Sequence, residues 1–204
     1  MSSELTKINI NRLTQYHSIL SDFEYRNENF ITVSQLSSLL KTDIETTLED
    51  LKSIEYPEQN LSKINVTDLK NHIESFLGFK KIKKAFIIGA GNLGTALAKY
   101  RDFEDYGLNI LALFDNDKSK FGTTINNKII LDISKLPNLV KKSKVDIAIL
   151  TVPKKYAQIM ATYIAAAGIK YIWNFTPAVL DVPDDVKVLN ENIIENLLKF
   201  TSEQ

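Results

Sequence analysis

The sequence predicts an α/β protein, in which a helical amino-terminal domain precedes a doubly wound parallel sheet and a carboxy-terminal helix. From residue 82 onward, short apolar runs alternate with runs of helical spacing, the pattern of a parallel sheet with right-handed crossovers. Before residue 78, apolar residues recur only at the three- and four-residue steps of helices. We therefore expect domains over residues 1–78 and 79–189, and a final helix over 190–204.

Four helices are predicted in the amino-terminal domain. They are expected over residues 8–25, 34–40, 44–54 and 68–77. Ser34 is a candidate cap for the second, and Thr42 with Glu45 forms a capping box for the third. Residues 57–65 are polar and irregular, as in a loop or wing. The short turn between the second and third helices indicates a helix-turn-helix, although a small bundle used for packing or dimerisation has the same pattern.

The charge of this domain bears on what it binds. Residues 1–78 contain seven Lys and Arg against twelve Asp and Glu, whereas the remainder contains 18 basic and 13 acidic side chains. The outer face of the third helix would present Glu45, Thr46, Glu49 and Lys52. Because phosphate neutralisation supplies much of the affinity of a DNA-binding domain, this acidic face predicts weak attraction for a duplex.

The second part alternates strands and helices. Strands are expected over 82–88, 108–114, 129–131, 145–152 and 169–175, with an edge strand at 186–189, and helices over 92–101, 134–142 and 153–167. The sequence Gly89-Ala90-Gly91-Asn92-Leu93-Gly94 lies between the first of these strands and the first helix. Such a loop carries a diphosphate, because its glycines allow a tight turn, close backbone approach and close helix packing.

An acidic residue follows the second of these strands. Asp115 lies about 20 residues beyond the glycines, where a carboxylate accepts hydrogen bonds from ribose hydroxyls and repels a 2′-phosphate. This placement favours NAD(H) over NADP(H). Asp117 could serve equally, and coenzyme A or a flavin dinucleotide are alternative ligands.

Several absences argue against an oxidoreductase. Both histidines, His17 and His72, lie in the helical part, and no Tyr is followed four residues later by Lys. The α/β units use nearly all residues after 80, so no substrate domain remains. No acidic or histidine cluster has metal-ligand spacing. We therefore expect a nucleotide sensor with no catalytic residues and no metal.

The composition suggests where such a sensor acts. The 204 residues contain no cysteine, which argues against a disulfide-built secreted fold. No apolar run approaches the roughly 20 residues of a membrane span, and the amino terminus lacks a basic segment followed by an apolar one. A cytoplasmic protein without a membrane partner is expected.

Five segments resemble one known family over nearly the full length of the chain. They are residues 89–97, 113–117, 149–153, 166–170 and 174–177, with weaker likeness at 10–13 and 34–36. These segments resemble the Rex family of redox-sensing transcriptional repressors. The resemblance implies a winged-helix domain, a Rossmann domain and a homodimer that exchanges its terminal helix. It also implies operator DNA binding that NAD⁺ permits and NADH prevents.

The resemblance also assigns residues. Pyrophosphate contacts are implied for Gly89, Ala90, Gly91, Asn92, Leu93 and Gly94, and an adenosine ribose contact for Asp115. The nicotinamide would lie against Thr151, Val152 and Pro153, near Tyr100, Asn174, Phe175 and Pro177. Candidate DNA contacts are Lys41, Thr46, Lys52 and Lys63. The acidic helix leaves an alternative, an NAD(H)-binding dimer that has lost DNA contact and acts through a protein partner.

Overall fold

The computed structural model describes residues 7–57, 61 and 63–191, with side chains from residue 10 onward. The chain divides into two compact units, Met1–Lys81 and Ile82–Gln204. Nearly all of the helix expected over 190–204 lies outside the described residues. Within the described part of the chain, no helix combines the length and apolar character needed to cross a membrane.

The first unit contains four helices and a two-stranded antiparallel sheet. The helices are α1 (Lys7–Tyr25), α2 (Val33–Leu40), α3 (Ile44–Ser53) and α4 (Val66–Leu77), and the strands are β1 (Phe30–Ile31) and β2 (Ile64–Asn65). The second strand lies in the segment expected to be a loop. Two-residue strands are too short to produce an alternating pattern, so the sequence did not reveal this sheet.

Two helix caps differ from the expectation. Thr32, not Ser34, caps α2, because its hydroxyl accepts the N–H of Gln35 while the Gln35 side chain accepts the N–H of Thr32. Asp43 caps α3, with its carboxylate 2.6 Å from the nitrogen of Thr46. Asp43 also accepts the Thr46 hydroxyl, and these bonds lower its pKa below the ordinary value. The ionised carboxylate is the stronger acceptor at a helix start, which favours Asp43 over Thr42.

A buried carboxylate joins α3 to α1. Asp50 is 1% exposed and accepts both Nε and Nη2 of Arg12, at 2.5 and 2.6 Å. The hydroxyl of Tyr16 donates to the same carboxylate at 2.9 Å, and burial raises the pKa of Tyr16 to about 12. Asp50 thus has three donors around it, as a buried charge requires. The network sets how α3 lies on α1.

The second unit is built on a seven-stranded sheet with the order β5-β6-β4-β3-β7-β8-β9, parallel except for β5. The strands are β3 (Lys83–Ile88), β4 (Leu108–Asp115), β5 (Thr124–Ile125), β6 (Lys128–Asp132), β7 (Ile147–Leu150), β8 (Tyr171–Asn174) and β9 (Lys187–Asn190). The helices are α5 (Asn92–Lys99), α6 (Asp102–Asp105), α7 (Leu136–Ser143) and α8 (Lys154–Ala166). The short α6 and β5 were not predicted.

Each face of this sheet is covered by helices, as expected for a doubly wound fold. Phe86 and Ile88 of β3 point into a core shared with α7 and α8, whereas Ala85 and Ile87 point into a core shared with α5. The chain leaves β3 toward β4 on one side and later returns to β7 on the other. This reversal is the switch point at which ligands bind in open α/β sheets, outside the carboxyl ends of the strands.

We predict that Arg12→Leu destabilises the first unit by about 3–5 kcal/mol, because it leaves the buried Asp50 carboxylate without its cation. Urea denaturation followed by circular dichroism measures the change. The matched control is Arg26→Leu, since the Arg26 side chain is 54% exposed, and we expect it to cost less than about 1 kcal/mol. Equal losses in the two variants would contradict the role assigned to the network.

Candidate nucleotide-binding site

A cavity of about 390 Å³ lies at the carboxyl ends of β3, β4 and β7. Its lining residues are Ile88, Gly89, Gly91, Phe114, Asp115, Asn116, Asp117, Lys120, Ile133, Thr151, Val152, Pro153, Tyr156 and Met160. The cavity therefore lies at the switch point of the sheet. The glycine loop and Asp115, both predicted from the sequence to bind a nucleotide, line it.

The first and third glycines of the loop let α5 pack against the end of β3. Gly89 has a φ of +109°, a conformation that other residues rarely adopt. A Cβ on Gly94 would lie 1.9 Å from the carbonyl oxygen of Gly89. Hydrogen is thus the largest side chain that this packing allows at position 94.

The second glycine faces open space. A Cβ on Gly91 would meet no atom of the protein within 4 Å. Gly91 is also the N-cap of α5 and supplies no side-chain hydrogen bond to it. The first N–H groups of the helix are therefore available to a group from outside the chain. An anionic diphosphate fits this cradle, because helix N-termini carry unpaired donors and a positive dipole end.

Thr151 joins the loop to β7. Its hydroxyl donates to the carbonyl oxygen of Gly89 at 2.8 Å and also lies 3.1 Å from that of Ile88. The next residues, Val152 and Pro153, lead into α8, and Tyr156 with Met160 extends the same wall one and two turns further. This largely apolar wall suits a flat ring.

Asp115 is held at the end of β4 by three donors. One oxygen accepts the N–H of Ala90 at 2.8 Å and the ammonium of Lys120 at 2.9 Å, and the other accepts the N–H of Asp117 at 2.9 Å. Burial raises the pKa of Asp115, but these hydrogen bonds and the Lys120 charge together hold it below the ordinary value. Asp115 is therefore ionised at neutral pH.

The structure distinguishes the two acids that follow β4. The carboxylate of Asp117 accepts the N–H and hydroxyl of Ser119, at 3.0 and 2.7 Å. Asp117 thereby caps the short 3₁₀ turn Lys118–Lys120. Asp115 instead contacts the glycine loop through Ala90. Between the two, Asp115 has the geometry of a ribose acceptor.

Four residues expected near the nicotinamide lie outside this cavity lining. Tyr100 ends α5 and packs its ring on Phe103 at 5.0 Å. Asn174 is completely buried and makes hydrogen bonds to Thr176, Ala178 and Asn190. Phe175 packs against the ring of Trp173, and Pro177 is exposed. The hydrogen bonds of Asn174 turn the chain after β8, so its polar atoms are already in use.

Sequence reasoning missed Lys120, Ile133, Tyr156 and Met160. A lysine in a turn is usually solvated, so nothing in the sequence distinguished Lys120. Tyr156 and Met160 are four residues apart in a helix that begins at a recognised position, so their common face was predictable. Ile133 lies in an isolated 3₁₀ turn, Ile133–Lys135, which has no sequence period to reveal it.

The candidate DNA contacts lie on the first unit. Lys41, Lys52 and Lys63 are exposed, and Thr46 is half-buried, with its hydroxyl on Asp43. The ammonium of Lys63 lies 3.9 Å from the ring centre of Phe30. Along α3, exposed Glu45 and Glu49 accompany Lys52. The outer face of this helix thus has the mixed, predominantly acidic character expected from the sequence.

A doubly wound sheet with a glycine loop at its switch point and a carboxylate after the next strand defines a dinucleotide-binding protein of the Rossmann class, here preceded by a helix-turn-helix unit. The chain is 36% identical over 198 residues to the redox-sensing transcriptional repressor Rex of Thermoanaerobacter pseudethanolicus, covering 96% of this chain and 88% of that protein. It belongs to the Rex family of redox-sensing transcriptional repressors, which confirms the resemblance drawn from the sequence.

Other comparisons agree. The Rex repressor of Treponema denticola is 53% identical over 121 residues, which are 59% of this chain and 58% of that protein. RSP, a Rex-family repressor that is 33% identical, superposes with a TM-score of 0.84 in its complex with β-NADH, covering 99% of this chain and 95% of RSP. The complex of RSP with β-NAD⁺ and operator DNA gives 0.87, covering 99% and 93%. A CoA-binding domain family also matches residues 80–178.

We predict that Gly94→Ala destabilises the second unit by about 3 kcal/mol or more, because the added methyl overlaps the Gly89 carbonyl. Ala favours a helix over Gly by only about 1 kcal/mol, so the overlap decides the sign. In Gly91→Ala, the matched control, the methyl enters open space and stability changes by no more than about 1 kcal/mol. Thermal unfolding of both variants measures this, and a stable Gly94→Ala protein would refute the packing argument.

Proposed function

We propose that this chain is an NAD(H)-responsive transcriptional repressor, whose first unit binds operator DNA and whose second unit binds the dinucleotide. The observation that supports it best is the likeness to Rex repressors over both units of the chain, together with a switch-point cavity suited to a dinucleotide. In this proposal the DNA-binding domain spans residues 1–78, the nucleotide-binding domain spans residues 79–189, and a carboxy-terminal helix spans residues 190–204.

Residues of this chain can be assigned to three parts of NAD(H). The open N-terminus of α5 at Gly91, Asn92 and Leu93 would hold the pyrophosphate, and Asp115 the adenosine ribose. Val152, Pro153 and Met160 would lie against the nicotinamide. The bound cofactor supplies a ring that is cationic in NAD⁺ and neutral in NADH. An apolar wall favours the neutral ring, because burial of an unpaired charge is costly.

DNA binding would use the helix-turn-helix of α2 and α3, flanked by the β1–β2 sheet. Ile44 and Leu48 are 50% and 37% exposed, one turn apart on α3. Apolar side chains contact thymine methyl groups, and carboxylates such as Glu45 and Glu49 accept from cytosine N4. An acidic α3 is therefore compatible with reading bases, while Lys41, Lys52 and Lys63 contact phosphates. The comparisons give no support to the alternative of a dimer without DNA contact.

We also propose a homodimer that exchanges the helix over 190–204 and acts in the cytoplasm as a regulator rather than an enzyme. The positions of His17 and His72 support a regulator rather than an enzyme. Nε2 of His17 lies 3.1 Å from the carboxylate of Glu74, and Nε2 of His72 lies 2.6 Å from the carbonyl oxygen of Ile54. Both are engaged within the helical unit and lie in a different unit from the nucleotide cavity.

For the cofactor, we predict that Gly91→Val abolishes detectable NADH binding while the protein remains folded. The branched side chain would occupy the open space over the helix N-terminus that the diphosphate needs. Isothermal calorimetry measures affinity and thermal unfolding measures stability. The control is Ala96→Val, which introduces the same branched side chain at an exposed position of α5 that does not line the cavity. Unchanged NADH affinity in Gly91→Val would place the site elsewhere.

For DNA, we predict binding to Rex-type operator duplexes that NADH reverses and NAD⁺ permits. With three exposed candidate lysines per chain, the slope of log affinity against log salt should be no steeper than about −5 for a dimer. Fluorescence anisotropy of labelled duplexes measures both quantities, with a scrambled duplex as control. Failure to bind at micromolar protein and low salt would refute the repressor function and leave the cofactor site to be judged by calorimetry.

A further inference from the structure

Lys120 and Asp115 lie side by side in the cavity lining, in the part proposed to hold the adenosine ribose. We call this part the ribose corner. Its ammonium lies 2.9 Å from Asp115 and 3.9 Å from Asp117, and the turn that carries it is capped by Asp117. The Lys120 side chain is 34% exposed, whereas that of Asp115 is 9% exposed. The corner therefore contains a sheltered anion and a more accessible cation, both lining the cavity.

The hydrogen-bonding capacity of this corner is divided between the two residues. A carboxylate accepts about four hydrogen bonds, and Asp115 already accepts three within the protein. One position remains, which can serve one of the two adenosine ribose hydroxyls. An ammonium has three donors, and Lys120 uses one on Asp115. Lys120 can therefore donate to the second hydroxyl.

We propose that Lys120 is a second specificity-determining residue of this site, and that its ion pair with Asp115 keeps it from recruiting a 2′-phosphate, so that the site selects NAD(H) over NADP(H). Lys120 donates to a ribose hydroxyl, and it is also a cation placed where a 2′-phosphate would lie. Asp115 neutralises that cation and repels the phosphate. This inference rests on the proposed function, since it requires that the cavity binds a dinucleotide.

The relative burial of the two charges determines the preference of the native pair. The more buried Asp115 charge is screened less by water and salt than the more exposed Lys120 charge. Repulsion of a 2′-phosphate therefore outweighs attraction while Asp115 is ionised. When Asp115 is neutral, Lys120 alone faces the phosphate, and the preference should shift toward NADPH.

The test compares NADH and NADPH dissociation constants, by calorimetry, for the native chain, Asp115→Asn, Lys120→Met and the double variant. We expect the native chain to bind NADH at least about 100-fold more tightly than NADPH, and Asp115→Asn to reduce this ratio below about 10. Adding Lys120→Met to Asp115→Asn should weaken NADPH at least about tenfold but NADH only about threefold. Lys118→Met is the matched control, since Lys118 is exposed on the same turn and does not line the cavity.

The outcomes separate the two proposals. Absence of NADH binding by the native chain refutes the proposed function and this inference with it. Retained NADH binding refutes the inference alone if the native chain does not discriminate, if Asp115→Asn keeps the native ratio, or if adding Lys118→Met to Asp115→Asn weakens NADPH as much as adding Lys120→Met does. Should Asp115→Asn not fold, as judged by thermal unfolding, Asp115→Ser provides the same neutralisation with a shorter side chain and is measured instead.

Discussion

The close approach of α5 to the end of β3 is the constraint on which the nucleotide cavity depends. Gly94 lies so near the Gly89 carbonyl that no larger side chain fits, and the hydroxyl of Thr151 holds that same carbonyl from β7. These contacts turn the open N-terminus of the helix toward the carboxyl ends of three strands. The glycine loop is usually interpreted as a ligand-binding motif. Two of its three glycines, Gly89 and Gly94, are nevertheless required by the packing of the fold itself.

The first unit depends on a different kind of constraint, a buried charge. Asp50 accepts Arg12 and Tyr16, and so fixes α3 against α1 through one carboxylate. Burial of such a charge adds little net stability when it is fully paired, but loss of a partner is costly. The contacts of Asp50 therefore do more to fix the orientation of α3 on α1 than to raise the stability of the first unit. For a helix that would read base edges, a fixed orientation matters more than affinity for α1.

The fold class and the glycine loop were predictable from sequence, because both depend on local periodicity and on residues with one physical reason for their position. The cap at Asp43, the β1–β2 sheet and the role of Lys120 were not. Thr42 and Asp43 are adjacent and both residue types cap helices, so the position of the cap depends on the backbone direction, which the sequence does not reveal. Asp115 and Asp117 posed the same problem, which the hydrogen bond from Ala90 resolves. The proposed role of Lys120 depends on its ion pair with Asp115, five residues earlier across a turn. No periodic sequence pattern predicts such a pair.

The hydroxyl bridge from Thr151 to Gly89 also bears on how fast and how tightly a ligand binds. Because β3, the loop and β7 are already joined, a dinucleotide would meet a cavity whose backbone is ordered in advance. Ordering of a loop on binding costs free energy and slows association, and a preorganised site avoids both. Such a cavity would follow the ratio of the oxidised and reduced cofactor with little delay. By holding the glycine loop in place before a ligand arrives, the hydroxyl of Thr151 would favour a fast response of such a sensor.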